Sequence, residues 1–365
     1  MITPFGTRSH GCRMSQVGWC GLDVVILENE LLRVAVLPQK GADLLEFRHK
    51  PTDLDLFWHS PLAWPPQPWP WGQVFDLRGS FLDTFHGGWQ VSIPNGFFPT
   101  SYLGAPVGIH GDLSLEGWTA RPGEDHPDRI TLVLTCRGRR CPLLMERQLT
   151  LVSGEATLYW REVLTNLSPI RLPVLWGHHP SIGGPLIERG ARLYAHCRRV
   201  QTPPAERPEL SDVIPDADSP WPWVPLAGGG ERDASLVPAV GTEGEHVVLL
   251  HDFVVGYGCV YSEQWRLGFG LRWDERLFPW AWSWIGSGGA RQYPLFGMAH
   301  VVTIQPCTSP MLPLEHCIAT GHVLWLEPGA SRATALAAGA VATPDCILPL
   351  APTGHRGDEA ADANH

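Results

Sequence analysis

No run of lysine or arginine stands out in the 365 residues, and the formal net charge is −10. The basic groups Arg137–Arg139–Arg140 and Arg198–Arg199 are short. Nucleic-acid binding needs a dense basic footprint, so no nucleic-acid partner is expected. No window approaches the roughly 18 consecutive apolar residues of a membrane helix, so no membrane partner is expected either. The opening MITPFGTRSHGCRMSQ lacks an apolar core segment, so no signal peptide is expected. The nine cysteines have no CxxC or other metal spacing. An odd, scattered set in a long chain reads as reduced, mostly buried thiols of a cytoplasmic protein. The histidines lack H-x-H or H-x₃-H spacing, and no second-shell carboxylates can be placed, which argues against a metal site. No helical period is sustained over three to four turns, and no repeat of fixed length recurs.

What is present is apolar and turn-rich. Hydrophobic residues make up 44% and charged residues 18%, with 39 glycines, 35 prolines and 17 tryptophans. That is enough apolar material for a large core, and Gly and Pro punctuate short strands. Period-two alternation dominates. Leu32, Val34 and Val36 oppose Leu31, Arg33, Ala35 and Leu37. RITLVLTCRG, LLMERQLTLV and ATLYWREVLTNLSP predict a three-strand antiparallel meander. VVLLHDFVVGYGCVYSEQWRLGFGLRW and GMAHVVTIQP read as strands, and HVLWLEP with SRATALAAGAV as a closing hairpin. The pattern predicts one all-β domain over 1–350 and a polar, disordered tail over 351–365. Two Pro-rich loops, 59–72 and 202–233, cannot be central strands. Their tryptophans (Trp64, Trp69, Trp71, Trp221, Trp223) suggest loops packing down near a site.

The most unusual stretch is WGHHPSIGGP, 176–185. His179 precedes a proline, which pushes its backbone to an extended conformation. Neighbouring side chains on a strand point to opposite faces. One of His178 and His179 can then face a cavity while the other packs behind, and a shared metal is disfavoured. The alternatives are a hydrogen-bonded, partly buried imidazole pair or an acid–base role, since histidine moves its proton most easily near neutral pH. In GIHGDLSLEGW, His110 sits between glycines, where it either caps a turn or is exposed by one. In RWDERLFPWAWSWIGSGG, Trp273, Trp280, Trp282 and Trp284 share one alternation parity once the intervening loop is counted loosely. Such residues either pack a core or line a ligand cleft.

In order along the chain, ENELLRVAVLPQKGADL, GIHGDLSLEGW, WGHHPSIGGP, FPWAWSWIGSGG and TIQPCTSP followed by LEPGA resemble segments of the aldose 1-epimerase (galactose mutarotase-like) family. The resemblance covers most of 28–340. It implies a large antiparallel β-supersandwich with an open cleft, and interconversion of sugar anomers without metal or organic cofactor. A base takes the anomeric hydroxyl proton while an acid protonates the ring oxygen. Carried over by motif, His179 is the candidate general acid and His178 the second choice. His110 is a sugar contact or second acid, Trp282 or Trp284 lines the cleft, and Trp176 and Arg78 are further ligand contacts. Where the family's closing motif has its glutamate base, this chain has Gln305. An amide cannot take that proton at neutral pH. Asp112, Glu116 or Glu315 could replace the base, or an imidazole could.

Two functions follow. One is an aldose 1-epimerase-like isomerase acting on a monosaccharide or modified sugar. The other is a non-catalytic carbohydrate-binding protein of the same fold. Six tyrosines and no clustered Tyr/His/Arg motif argue against a lyase. The negative net charge disfavours sugar phosphates unless Arg33, Arg78, Arg272 and Arg291 cluster.

Overall fold

The computed structural model describes residues 8–62, 79–204 and 212–352. Trp64, Trp69, Trp71, Arg78 and residues 353–365 of the polar tail lie outside the described residues.

Alternation sets the strands. Arg129–Arg137, Leu143–Val152 and Thr157–Asn166 form the expected antiparallel meander. In the first two, alternate side chains are buried, as a half-covered strand requires. Leu32–Leu37 has apolar residues on both faces and serves two cores. Leu32, Val34 and Val36 enter the main one, while Ala35 and Leu37 join Leu22, Val24, Ile26 and Leu45 in a second. Gly244–Ser262 and Leu267–Trp273 are strands, as expected, and pair with each other. Among the described residues 20 strands join in one hydrogen-bonded network whose strand ladders run antiparallel.

The network folds into two facing layers. Trp89, on Gly88–Ser92, stacks on Trp160, on Thr157–Asn166, with centroids 4.4 Å apart. These strands have different ladder partners, so the contact crosses the core between sheets. The same core contains an ion pair. Arg147 and Glu162 sit at inward positions of the meander, 2.7 Å apart and fully buried. Indole faces of Trp118 and Trp160 lie 4.4 Å from the guanidinium carbon. Cation–π attraction and the carboxylate together offset the cost of removing that cation from water.

Several expectations need correction. HVLWLEP and SRATALAAGAV do not pair with each other. Leu324–Leu326 pairs with Leu172–Val174, and Ser331–Val341 lies between Thr157–Asn166 and Leu267–Trp273. Packing on both sides of a buried, Ala-rich strand outcompetes the local turn. Trp273 belongs to the main core, hydrogen-bonded to Phe278 O at 3.1 Å. The second Pro-rich segment contributes short strands, Asp218–Pro220, Trp223–Pro225 and Glu231–Asp233. Its Trp223 is exposed, and Trp221 packs against the main core rather than at the histidines.

Candidate functional site

Gly177–Ile182 carries the histidine pair and is buried along its whole length. Proline 180 lacks a ladder donor. The next strand accordingly breaks opposite it, into His300–Thr303 and Gln305–Cys307 with Ile304 between. The register is unbroken across the gap. Gly177 pairs with Cys307 and Ser181 with Thr303, which brings Gln305 opposite His179. On the other side His179 pairs with Gln90, and beyond Gln305 lies Trp282. Directly opposed residues share a face, with Cβ atoms about 5 Å apart. The floor is therefore a row of Gln90, His179, Gln305 and Trp282. Ser181 Oγ lies 3.3 Å from His179 Nδ1, and Gln305 Nε2 donates to Thr303 Oγ1 at 2.8 Å.

Over this row stands His110. It adopts φ +59°, a left-handed conformation costly for a histidine. Its N–H donates to Gly96 O at 2.7 Å, and its carbonyl accepts from Ile93 N at 3.1 Å. Gly111 follows at φ +77°, where a Cβ would fall 1.9 Å from Ile93 O. The turn thus aims His110 at the floor. Its Nδ1 lies 2.9 Å from Ser92 Oγ, and its ring centroid is 5.1 Å from that of His179. Phe81 and Phe85 close the cluster, with ring centroids 4.6 Å from His110 and 5.2 Å from His179 respectively. Sequence reasoning missed Gln90, Phe81 and Phe85. The available signals were two polar residues, Gln90 and Ser92, inside the otherwise apolar run GWQVSI and two phenylalanines four apart.

Electrostatics follow from this dry enclosure. Burial holds the His179 imidazole down, to about 4. His110 is held well below the ordinary histidine value by burial and by facing His179. Both rings are therefore neutral at pH 7.

His178, the second choice for the acid, points the other way, into the core, which corrects that alternative. Trp89 Nε1 donates to its Nδ1 at 3.3 Å, which places the ring proton on Nε2, 3.3 Å from Glu162 Oε2. The Glu162 carboxyl would be raised by burial, but Arg147 and then His178 bring it down to about 2. Trp176 has the same parity as His178 and packs edge-on against Phe278 at 5.5 Å, inside the core rather than in a cleft. Trp282 stands on the floor with its Nε1 given to Ser309 O at 3.0 Å, and Trp284 gives its Nε1 to Glu245 at 3.0 Å.

The substitute carboxylates lie elsewhere. Asp112 accepts from Arg140 N at 2.9 Å, Glu116 pairs with Arg139 at 3.0 Å, and Glu315 is exposed on the helix Leu314–Thr320. Of the arginines considered for an anionic sugar, the three among the described residues are each paired with a carboxylate. Arg33, Arg272 and Arg291 pair with Glu46, Glu275 and Glu243. Among the described residues no group of three or more His, Cys, Asp or Glu could hold a metal ion, and no helix is long and apolar enough to cross a membrane. All nine cysteines are unbridged. A separate groove of about 910 Å³ is lined by Arg192, Arg232, Asp212, Asp233, Glu243 and His246 among others. Its Arg192 and Arg232 are already paired with Asp233 and Asp212. The histidine floor, with the His179 imidazole between two amides and His110 above them, is the stronger candidate.

Solved structures share this architecture. A Klebsiella pneumoniae protein provisionally described as an aldose 1-epimerase superposes with TM-score 0.71 at 16% identity, over 92% of this chain and 84% of that one. A galactose mutarotase-like protein from Clostridium acetobutylicum gives 0.59 at 13% identity, over 91% and 99%. A galactose mutarotase related enzyme from Lactobacillus acidophilus gives 0.56 at 15% identity, over 88% and 98%. No curated protein matches the sequence. At these identities the likeness establishes the fold, which is the galactose mutarotase-like all-β fold anticipated from the motifs. Residues 20–339 match the family described as Domain of unknown function (DUF4432), and the chain belongs to that family.

Proposed function

We propose that this protein binds a neutral sugar over the His179 floor and does not interconvert its anomers at an enzymatic rate. The observation that carries the reading is the amide of Gln305 directly across the ladder from His179. Anomer exchange needs a base for the anomeric hydroxyl and an acid for the ring oxygen. An amide side chain offers a donor and an acceptor but no site for that proton. The acid is compromised as well. With its pKa near 4, His179 carries no ionised proton to give at pH 7. The carboxylate of Asp43 favours the charged ring, but burial outweighs it. What remains suits recognition: neutral imidazoles and amides for hydroxyls, and aromatic side chains such as Phe85 and Trp282 for the C–H faces of a pyranose.

The test is a titration of the protein with D-glucose, D-galactose and D-mannose, followed by exchange NMR on any sugar that binds. Saturable binding that His179→Ala abolishes, with anomer exchange at the uncatalysed rate, is expected. Catalysed exchange by the unaltered protein would refute the reading, and so would binding of none of the three.

A further inference from the structure

The strand Gly88–Ser92 runs beside the histidine strand, and its Gln90 is the direct partner of His179. Gln90 is almost completely buried, 1% exposed. Its Nε2 donates to Gly87 O and lies 3.4 Å from Asp43 Oδ2. Both partners are oxygens, and that fixes the amide. The flipped orientation would set its oxygen against two oxygens. The Oε1 atom is thereby left as a buried acceptor with no partner among the described residues. Buried polar atoms are nearly always satisfied, so an orphan beside a candidate site points to a missing donor. The same Asp43 Oδ2 accepts from Lys40 Nζ at 2.5 Å and lies 2.9 Å from His86 Nε2, all three residues being fully buried. Its second oxygen, Oδ1, likewise lacks a hydrogen-bond partner among the described residues.

We infer that Gln90 Oε1 is the acceptor that reads one hydroxyl of the bound sugar, and that Asp43 is the positioning residue that keeps the amide turned to present it. The inference rests on the sugar-binding reading above and assigns it a specificity determinant. It also narrows the ligand class. The open atoms of this arm are acceptors, which suit a ligand O–H and repel the oxygens of a phosphate.

The experiment uses the full chain, with binding measured calorimetrically for D-glucose, D-galactose and D-mannose and then for the monodeoxy forms of whichever binds. One deoxy position is expected to cost the unaltered protein about tenfold in affinity, the size of one buried hydrogen bond. Gln90→Met is expected to bind the parent and that deoxy sugar equally. Asp43→Asn keeps an acceptor oxygen towards Lys40 and His86 but removes the charge, so the hold on the Gln90 amide weakens. The discrimination at that position is then expected to fall part of the way towards that of Gln90→Met, and discrimination unchanged from the unaltered protein would remove the positioning role of Asp43. Discrimination in Gln90→Met identical to that of the unaltered protein overturns the inference and leaves sugar binding intact. Binding of none of the three sugars overturns both. Should Gln90→Met fail to fold, the unaltered protein carries the test alone. Its Gln90 carbonyl ¹³C resonance is expected to move with the parent sugar and not with the deoxy sugar, and an identical response to both overturns the inference.

Discussion

The buried ion pair beneath the site makes a quantitative prediction. Glu162 is wholly enclosed, with Arg147 Nε 2.7 Å from one oxygen and His178 Nε2 3.3 Å from the other. Glu162→Gln keeps the shape and removes the charge. Arg147 then keeps a neutral amide oxygen, Ala42 O at 3.1 Å from Nη1 and two indole faces, and loses its one counter-charge. Breaking a buried pair in this way costs about 3–5 kcal/mol. Linkage gives an independent figure. The carboxyl sits at about 2 in the fold against an ordinary 4.5, a difference worth about 3 kcal/mol at pH 7. Because the folded value is the lower one, this stability is complete above about pH 4.5 and is lost as pH falls towards 2. Urea unfolding at pH 7 is expected to place the variant about 3 kcal/mol below the unaltered protein, with the gap about 2 kcal/mol smaller at pH 3. A deficit under about 1 kcal/mol at pH 7, or a gap that does not change with pH, would refute the reasoning.

Three further outcomes are expected. His179 has its folded pKa depressed to about 4 from 6.5, so its contribution is complete above pH 6.5 and fades towards pH 4. The unaltered protein should therefore lose about 2 kcal/mol more than His179→Gln between pH 7.5 and pH 5 in urea titrations. Gly111→Ala places a Cβ 1.9 Å from Ile93 O at φ +77° and should cost about 2 kcal/mol or more in thermal unfolding. Gln305→Glu sets a carboxylate about 5 Å from His179, which at an effective dielectric near 20 is worth about 3 kcal/mol, or about 2 pKa units upward for the imidazole. Histidine NMR titration reads that shift directly.

The fold was legible wherever one face of a strand is wet. The strands 129–137 and 143–152 alternate cleanly, and their expected ranges match the structure to within a residue. It was illegible where both faces are buried. Ser331–Val341 is an Ala-rich strand packed between two neighbours, and no local pattern names those neighbours. The site divides similarly. Strand alternation and the His–Pro step were enough to separate His178 from His179, but not to say which one faces in. That depends on Glu162 and Trp89, each distant in sequence. Arg147 and Glu162 read as alternating polar residues on meander strands, and nothing local says that two tryptophans cover the pair. Gln305 was visible as a departure from a motif. Its placement opposite His179 needed the register of two broken strands, set by the prolines at 180 and 306.

The central claim is that the floor of this site recognises a sugar without the base that would turn it over. It is tested most directly by exchange NMR on a sugar already seen to bind, comparing the unaltered protein with Gln305→Glu. The account predicts background exchange for the first and a gain of about 10² or more for the second, the usual contribution of a positioned base. Rapid exchange by the unaltered protein, undiminished or slowed by Gln305→Glu, would contradict it.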